Sequence, residues 1–488
     1  MTSRGTAFPY TVSSGRGMLA AMALVVLSSG IVQGYLTPLL PALGARLHID
    51  GVGQNGIYLL SQVAFAALTP LLSRLGDLHG HRRLLRWALA SVAAGSLLMA
   101  AWPAPATLAV GVVLQGAVVG FFPLLVGILR TRAPERGRSG IALLVGVLLV
   151  SIGLGGLASG LLSEGHAEAG LWAAVPLCLL ALLAGLVLPG GAAAYGGHFH
   201  TGAALLLTAG LVGVVLVLAQ GSTWGWASAP TLGLAAGSLI ALVWWVRVES
   251  RSAQPLVSVR LLTNPRLAVV SACTFCAAFG TIGFLGANAT FLGASPSATG
   301  YGMGLGPRAI AVVALAIVLA GFAGSSLTPR LARRAGDRAV LAAAGCVGAA
   351  GFAAMAVLHS TLPQYVAAAL VVGLATGLFE SITRTLSAEA VAEHETALAV
   401  GINELALSLG AAIGAAAIGA LFAAHREPAT GHIAYEGYLW AWWTCAGVAA
   451  LGGVLALGYR RGRGGARGGP AHGEETATRP PHAQQTGA

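Results

Sequence analysis

The sequence has few charged residues and no lysine. Only 9% of its 488 residues are charged, 56% are hydrophobic, and all 27 basic residues are arginine. A soluble domain carries roughly 25% charged residues, so a soluble globular protein is excluded. The five cysteines lie in apolar stretches, which excludes a scaffold held by disulfides. The sequence has no P-loop pattern, which argues against ATP-driven transport by this chain alone.

Long apolar runs take the place of a charged surface. The mean hydropathy is +0.80 and the chain contains 70 glycines, as expected for closely packed membrane helices. A helix needs about 20 mostly apolar residues to cross a bilayer. We predict fourteen membrane-spanning helices, at residues 18–43, 56–74, 84–102, 105–129, 139–163, 170–189, 203–220, 229–247, 266–292, 304–326, 339–359, 364–387, 396–422 and 438–458.

The arginines predict the orientation of these spans. With a cytoplasmic N-terminus, 24 of the 27 arginines fall in cytoplasmic segments. The exceptions are Arg46 and Arg426 in outer loops and Arg308 at the outer start of a span. This bias follows the positive-inside rule and also puts the C-terminus in the cytoplasm. All ten tryptophans fall at predicted span ends, where amphipathic rings prefer to lie.

Two cytoplasmic loops share a pattern. Residues 74–85 (RLGDLHGHRRLL) and 330–341 (RLARRAGDRAVL) both fit R-L-x4-G-x-R-x2-L and lie 256 residues apart. Each loop joins two spans, and the offset corresponds to eight spans. Spans 1–6 therefore match spans 9–14, with an extra pair of spans between them. Repeated halves around a central site are typical of secondary transporters.

The first of these loops resembles the signature G-x-L-A-D-R-x-G-R-R-x-x-L of the major facilitator superfamily. The matching residues are Leu75, Asp77, Gly80, Arg82 and Leu85, and Arg83 adds a further basic group. Together with the number of spans, the loop resembles the fourteen-span branch of drug:proton antiporters. In the second copy of the loop, Arg333 stands at the aspartate position.

This resemblance implies an all-α integral membrane protein with the major facilitator fold. Two pseudo-symmetric six-helix bundles, at residues 18–189 and 266–458, would flank an extra two-helix hairpin at 190–265. Residues 1–17 would form a cytoplasmic tail. The segment 459–488 is rich in Arg, Gly, Pro and His, and it is predicted to be a disordered cytoplasmic tail.

The loop between spans 2 and 3 is the predicted gate. Gly80 allows a tight turn, and Arg82 and Arg83 fix the loop in the cytoplasm. The family resemblance makes Asp77 a gate residue that binds the inner ends of neighbouring helices. We expect Arg130, at the inner end of span 4, as one possible partner of Asp77.

Two carboxylates lie well inside predicted spans, Glu380 in span 12 and Glu404 in span 13. Ionisable groups in spans are costly, so these are candidates for proton coupling. Arg384 lies at i+4 from Glu380 and can pair with it, which leaves Glu404 as the better candidate. The alternatives are a structural Glu380–Arg384 pair and a structural hydrogen bond of Glu404 with neighbouring Asn403.

Gln33, Gln115 and Asn403 are the candidates for lining a substrate cavity, and helix–helix hydrogen bonds are the alternative for the two glutamines. The chain departs from the family pattern at Val112, where the family has arginine, and at Gly156, where it has proline. The usual acidic residue near the start of span 1 is also absent. These departures concern groups tied to proton coupling and drug binding in the family.

The sequence therefore predicts a proton-coupled exporter of small hydrophobic drugs or secondary metabolites. A specific metabolite importer or exchanger of the same fold is the alternative, and a sensor or membrane enzyme has less support. No catalytic constellation or metal ligand is predicted. No cofactor is predicted either, because the energy for transport would come from the proton gradient. We expect a monomer in a bacterial plasma membrane, in contact with lipid and a small-molecule substrate and not with nucleic acid.

Overall fold

A computed structural model gives the fold of this chain. It describes residues 15–49, 51–163, 167–190, 200–252, 261, 263–427 and 432–460. The predicted tails before residue 15 and after residue 460 lie outside these residues. The described part is built of helices and turns, with an isolated β-bridge between Arg426 and Ile433. The prediction of an all-α protein is confirmed.

The helices follow one another with short connections. In chain order they are α1 (Gly15–Leu47), α2 (Gly51–His79), α3 (His81–Ala101), α4 (Pro105–Gln115), α5 (Phe121–Arg132), α6 (Gly137–Ser163), α7 (Val175–Val187), α8 (Thr201–Trp224), α9 (Ala229–Arg251), α10 (Pro265–Thr281), α11 (Leu285–Gly293), α12 (Pro296–Thr299), α13 (Pro307–Ala335), α14 (Asp337–Val357), α15 (Leu362–Glu389), α16 (Thr396–Ala424) and α17 (Tyr435–Leu455). The 3₁₀ turn Gly116–Gly120 joins α4 to α5, so these two helices form one span.

Thirteen helical segments of the described residues are long and apolar enough to cross a membrane. The predicted ninth span, 266–292, is divided into α10 and α11, and α10 has only 17 residues. Gly283 lies in the turn between them, where a Cβ atom would be 2.9 Å from the amide nitrogen of Ala415 in α16. Close packing on α16 thus accompanies the break, and the count of fourteen spans stays a prediction.

Two equivalent groups of helices make up the molecule, and each is held together by the same close helix contact. In the first half α1 packs against α6, and in the second half α10 packs against α16, eight spans later. A Cβ on Gly34 would lie 2.1 Å from the carbonyl oxygen of Ile152, and one on Gly414 would lie 2.1 Å from that of Phe279. Small residues let these backbones touch, as is common between membrane helices.

The two repeated loops have the same backbone conformation. Gly80 has φ 93° and ψ 126°, and Gly336 has φ 85° and ψ 158°. Each glycine ends one helix and starts the next, in a region of φ that favours glycine. A Cβ on either residue would meet nothing within 4 Å, so the requirement is conformational and not steric.

The two halves meet along α6 with α13 and along α2 with α16. The helices α8 and α9 pack on each other, and α8 also lies against α2 and α16. The extra hairpin therefore covers one side of the boundary between the halves. We call the end of the molecule that holds the loops after α2, α5 and α13 the arginine-rich end.

Most of the tryptophan rings lie on the surface of the molecule. Eight of the ten are exposed by 43–73%, as expected for rings that face lipid or its interface. Trp245 and Trp442 are instead 5% and 0% exposed. Trp245 packs in the core between the hairpin and α16, and Trp442 packs in an aromatic cluster with Phe291 and Tyr438.

Candidate functional site

Asp77 joins the two halves at the arginine-rich end. It is 4% exposed and lies in the last turn of α2. One carboxylate oxygen lies 2.8 Å from Nε2 of His81, and the other accepts a 2.9 Å hydrogen bond from the amide of Leu398. The expected pairing with Arg130 is therefore wrong, because α16 presents its own free amide to this carboxylate.

Arg130 makes a second connection between the halves. From the end of α5 it donates to the carbonyl oxygens of Ala388 and Val391, the latter at 2.7 Å. It also donates to Oγ1 of Thr396 at 2.8 Å. These acceptors lie at the end of α15, in the following turn and at the start of α16. Arg130 is thus part of the same interface as Asp77, although it does not bind Asp77.

The other residues of the predicted gate stay within the first half. Gly80 forms the turn between α2 and α3. Arg82 donates to the carbonyl oxygen of Leu186 at 3.1 Å and so satisfies the C-terminal end of α7. Arg83 is exposed. The contact of Arg82 thus lies within the first bundle.

The sequence did not indicate a third cross-half connection, made by Arg138. Its guanidinium binds both oxygens of Asp337, at 2.5 and 3.1 Å, and both oxygens of Glu389, at 2.7 and 2.6 Å. Asp337 has only 2% of its side chain exposed, whereas Glu389 has 43%. Asp337 directly follows Gly336 in the repeated loop, and this position was the only sequence signal for its role.

The two intramembrane carboxylates form an ion triad with Arg384. Arg384 binds Glu380 at 2.7 Å and binds both oxygens of Glu404, at 2.7 and 3.0 Å. Arg384 and Glu380 have 3% and 6% of their side chains exposed, and Glu404 has 15%. Pairing with arginine therefore does not distinguish the two carboxylates. One positive charge faces two carboxylates in a site largely removed from solvent.

Phe122 of the first half covers this ion triad, which belongs to the second half. The Cζ atom of Arg384 lies 4.8 Å from the centroid of the Phe122 ring. Phe122 is 6% exposed and lies at the start of α5. A guanidinium over an aromatic face is an attractive arrangement, more so when both groups are desolvated.

A small cavity of about 40 Å³ lies between α1, α2 and α4 in the first half. It brings the candidates Gln33 and Gln115 together, and no charged residue lines it. Val112, at the position where the family has arginine, also contributes to its wall. The lining residues are Val32, Gln33, Leu36, Leu40, Tyr58, Ser61, Gln62, Phe65, Val112 and Gln115.

Gln115 and Asn403 both make helix–helix hydrogen bonds. Gln115 donates to the hydroxyls of Tyr35 at 2.9 Å and Ser96 at 2.8 Å. Asn403 is 0% exposed and its carbonyl oxygen accepts from Thr274 of α10 at 2.7 Å. Asn403 is thus enclosed between α16 and α10 and is not among the lining residues of the cavity. Its prediction as a cavity residue is wrong.

A comparison of the sequence with known families agrees with this fold. The profile of the Major Facilitator Superfamily matches residues 22–194 and 267–485. The chain belongs to the Major Facilitator Superfamily. The unmatched stretch between the two segments contains α8 and α9. The protein is therefore a multi-pass membrane transporter and not an enzyme.

Several relatives are antibiotic export or resistance proteins of Amycolatopsis and Streptomyces species. The chain is 29% identical over 351 residues to the cephamycin export protein CmcT of Amycolatopsis lactamdurans, which covers 67% of each chain. It is 28% identical over 420 residues to the puromycin resistance protein pur8 of Streptomyces alboniger, covering 82% of this chain and 79% of that protein. It is also 29% identical to the tetracenomycin C resistance and export protein of Streptomyces glaucescens, covering 55% of this chain and 51% of that relative, about half its length.

Solved structures show the same fold at low sequence identity. The human organic anion transporter MFSD10 superposes with a TM-score of 0.66 at 16% identity, covering 90% of this chain and 99% of that one. A bacterial homologue of the iron transporter ferroportin gives a TM-score of 0.56 at 14% identity, covering 91% and 98%. These likenesses support the fold, and the substrate has to be argued from this chain's own residues.

Proposed function

We propose that this chain is a secondary active transporter that exports small hydrophobic drugs or secondary metabolites in exchange for protons, by alternating access. The ion triad of Glu380, Arg384 and Glu404 is the observation that carries the proposal. It contains one more carboxylate than it has cations, at a site largely shielded from water. An uncompensated charge inside a membrane protein is costly, so the triad favours a bound proton when it is closed off.

Proton release requires that water reach the triad in another conformation. Glu404 is the more exposed of the two carboxylates, with 15% of its side chain accessible against 6% for Glu380. We therefore keep Glu404 as the residue that exchanges the proton, for its exposure and not for a lack of arginine. Glu380 then acts as the permanent counter-ion of Arg384.

Alternating access is supported by contacts concentrated at one end. Asp77 with Leu398, Arg130 with Thr396, and Arg138 with Asp337 all join the two halves at the arginine-rich end. Breaking these polar contacts would let the halves separate there. Because arginine-rich ends usually face the cytoplasm, these contacts support a conformation that is closed toward the cytoplasm.

The lining of the cavity in the first half supports the proposed substrate class. Its wall contains apolar groups together with amides and hydroxyls such as those of Gln33, Ser61 and Gln115, and no charged side chain. Such a wall suits hydrophobic molecules with a few hydrogen-bonding groups. Export as the direction is supported by the names of the relatives. We further propose a monomer in the bacterial plasma membrane, with both termini cytoplasmic and no bound cofactor.

The proposal is tested in a bacterial host that lacks its own exporters. The chain is expressed, and resistance to cephamycin, tetracenomycin C, puromycin and a panel of apolar toxic compounds is measured with and without an uncoupler. We expect resistance that the uncoupler abolishes. The variant Glu404→Gln should lose it, whereas Glu135→Gln, at a side chain 68% exposed, should keep it.

Two results would overturn the proposal. Resistance that persists with the uncoupler, or in Glu404→Gln, would show that this proton site does not drive export. Uptake of a nutrient without resistance to any compound would favour the importer or exchanger of the same fold.

A further inference from the structure

The ion triad belongs wholly to the second half, since Glu380 and Arg384 lie on α15 and Glu404 lies on α16. A proton bound there can change the relation between the two halves only through a group that touches both. Phe122, on α5 of the first half, provides this contact with its ring over Arg384 at 4.8 Å. Both residues are almost fully buried, at 6% and 2% exposure.

The helices α5 and α15 also meet at the arginine-rich end. Arg130 lies eight residues after Phe122 on α5, and Ala388 lies four residues after Arg384 on α15. Arg130 donates to the carbonyl oxygen of Ala388. The helices α5 and α15 are thus connected twice, once at the ion triad and once at the arginine-rich end. At 1.5 Å per residue the two connections are about 12 Å apart along α5.

We propose that Phe122 is a positioning residue for proton coupling, which holds Arg384 against the first half so that the proton load of the ion triad controls the arginine-rich gate. This inference rests on the proposed function. When Glu404 is ionised, the guanidinium of Arg384 contacts the carboxylates of Glu380 and Glu404 and the ring of Phe122. When Glu404 takes up a proton, Arg384 moves toward Glu380 and its fit to the ring changes.

The charged groups that act on Glu380 and Arg384 within the described residues are each other and Glu404. On the opposite side, α5 contributes the aromatic ring of Phe122. The contact between Arg384 and this ring is therefore a direct route from the ion triad to the first half.

The test needs no substrate, because it measures the opening of the gate directly. Cysteines replace Glu135 and Arg334, which are exposed near the arginine-rich end in the first and second half, in a background with Cys346→Ala. Spin labels on this pair, in full-length protein in lipid nanodiscs, give the distance between the halves as a function of pH. We expect a pH-dependent distance in the parent chain and a strongly altered profile in Glu404→Gln.

Variants of Phe122 then distinguish the effect of its aromatic ring from the effect of its side-chain volume. Phe122→Leu should change the ratio of open to closed gate by about five- to thirty-fold at a given pH, the size expected for a desolvated cation–π contact. Phe122→Tyr should restore the parent profile. Phe121→Leu is the matched control, since Phe121 is 0% exposed on the same helix and the cation–π contact of Arg384 is to Phe122. Stepwise fluorination of the Phe122 ring should weaken the pH response of the distance in proportion to the number of fluorine atoms. The shape of the side chain changes little in this series.

The outcomes distinguish this inference from the proposed function. A parent pH profile in Phe122→Leu, or an equal change in Phe121→Leu, would overturn the role of Phe122 and leave proton-coupled export intact. If Phe122→Leu does not fold, a fluorination series with no trend has the same consequence. A distance between the spin labels that does not change with pH in the parent chain would also overturn the inference. The resistance assay with uncoupler would still decide the proposed function by itself.

Discussion

The carboxylate of Asp77 accepts a 2.9 Å hydrogen bond from the backbone amide of Leu398, 321 positions further along the chain. Leu398 is the third residue of α16, so its amide is one of the four that have no partner within the helix. The negative charge also lies at the positive end of the dipole of α16. One short side chain thus fixes the end of α2 to the start of a helix in the other half.

Replacing Asp77 by asparagine should impair transport without preventing membrane insertion. The amide side chain keeps an acceptor for Leu398 but loses the charge, which costs about 1 kcal/mol at a helix N-terminus. The population of the conformation that is closed at the arginine-rich end should then fall about five-fold. The rate at which a thiol reagent reaches a cysteine introduced below the gate measures this opening. Asp77→Glu keeps the charge as a control, and normal turnover of Asp77→Asn would contradict the role of Asp77.

Replacing the carboxylate of Asp337 should lower the free energy of unfolding more than replacing that of Glu389. Both residues bind Arg138, but the side chain of Asp337 is 2% exposed and that of Glu389 is 43% exposed. We expect Asp337→Asn to lower the free energy of unfolding by about 2 kcal/mol, and Glu389→Gln to lower it by under about 1 kcal/mol. Thermal unfolding of the purified protein measures both. Equal effects of the two variants would contradict the difference in burial.

Much of the fold could be predicted because lipid imposes strong rules on sequence. Apolar runs give the helices, and arginine gives the end at which the loops lie. The pairing of Glu380 with Arg384 was also accessible, since i and i+4 residues share a helix face. The contact of Arg384 with Glu404 depends on the packing of α15 against α16, which no local pattern contains.

The errors have a common physical cause, which is the rotation of a helix about its own axis. Asn403 lies on α16, a helix that is apolar around most of its circumference, so its sequence does not indicate which side faces the cavity. The structure turns Asn403 toward Thr274 of α10. Likewise, Asp77 and Arg130 both lie at the arginine-rich end, but each binds a different part of the second half.

Replacing Arg384 by methionine should destabilise the protein strongly. Glu380 and Glu404 would then face each other in a buried site without the guanidinium, a situation that typically costs about 3–5 kcal/mol. Adding Glu380→Gln and Glu404→Gln to Arg384→Met should restore most of the stability, because it removes the buried charges. The triple variant should fold and yet show no export that depends on the proton gradient. A single variant Arg384→Met as stable as the parent in thermal unfolding would contradict this interpretation of the ion triad.

The two cavity glutamines should differ in what they contribute. Gln115 is 3% exposed and bonds two other helices through Tyr35 and Ser96, so Gln115→Leu should cost about 1–3 kcal/mol of stability. Among the described residues, Gln33 bonds within its own helix, to Ser29, and Gln33→Leu should leave stability nearly unchanged. Because both residues line the cavity, both variants should alter the KM of transport. If Gln33→Leu changes neither KM nor stability, the cavity does not hold the substrate, and the binding site must lie closer to the ion triad.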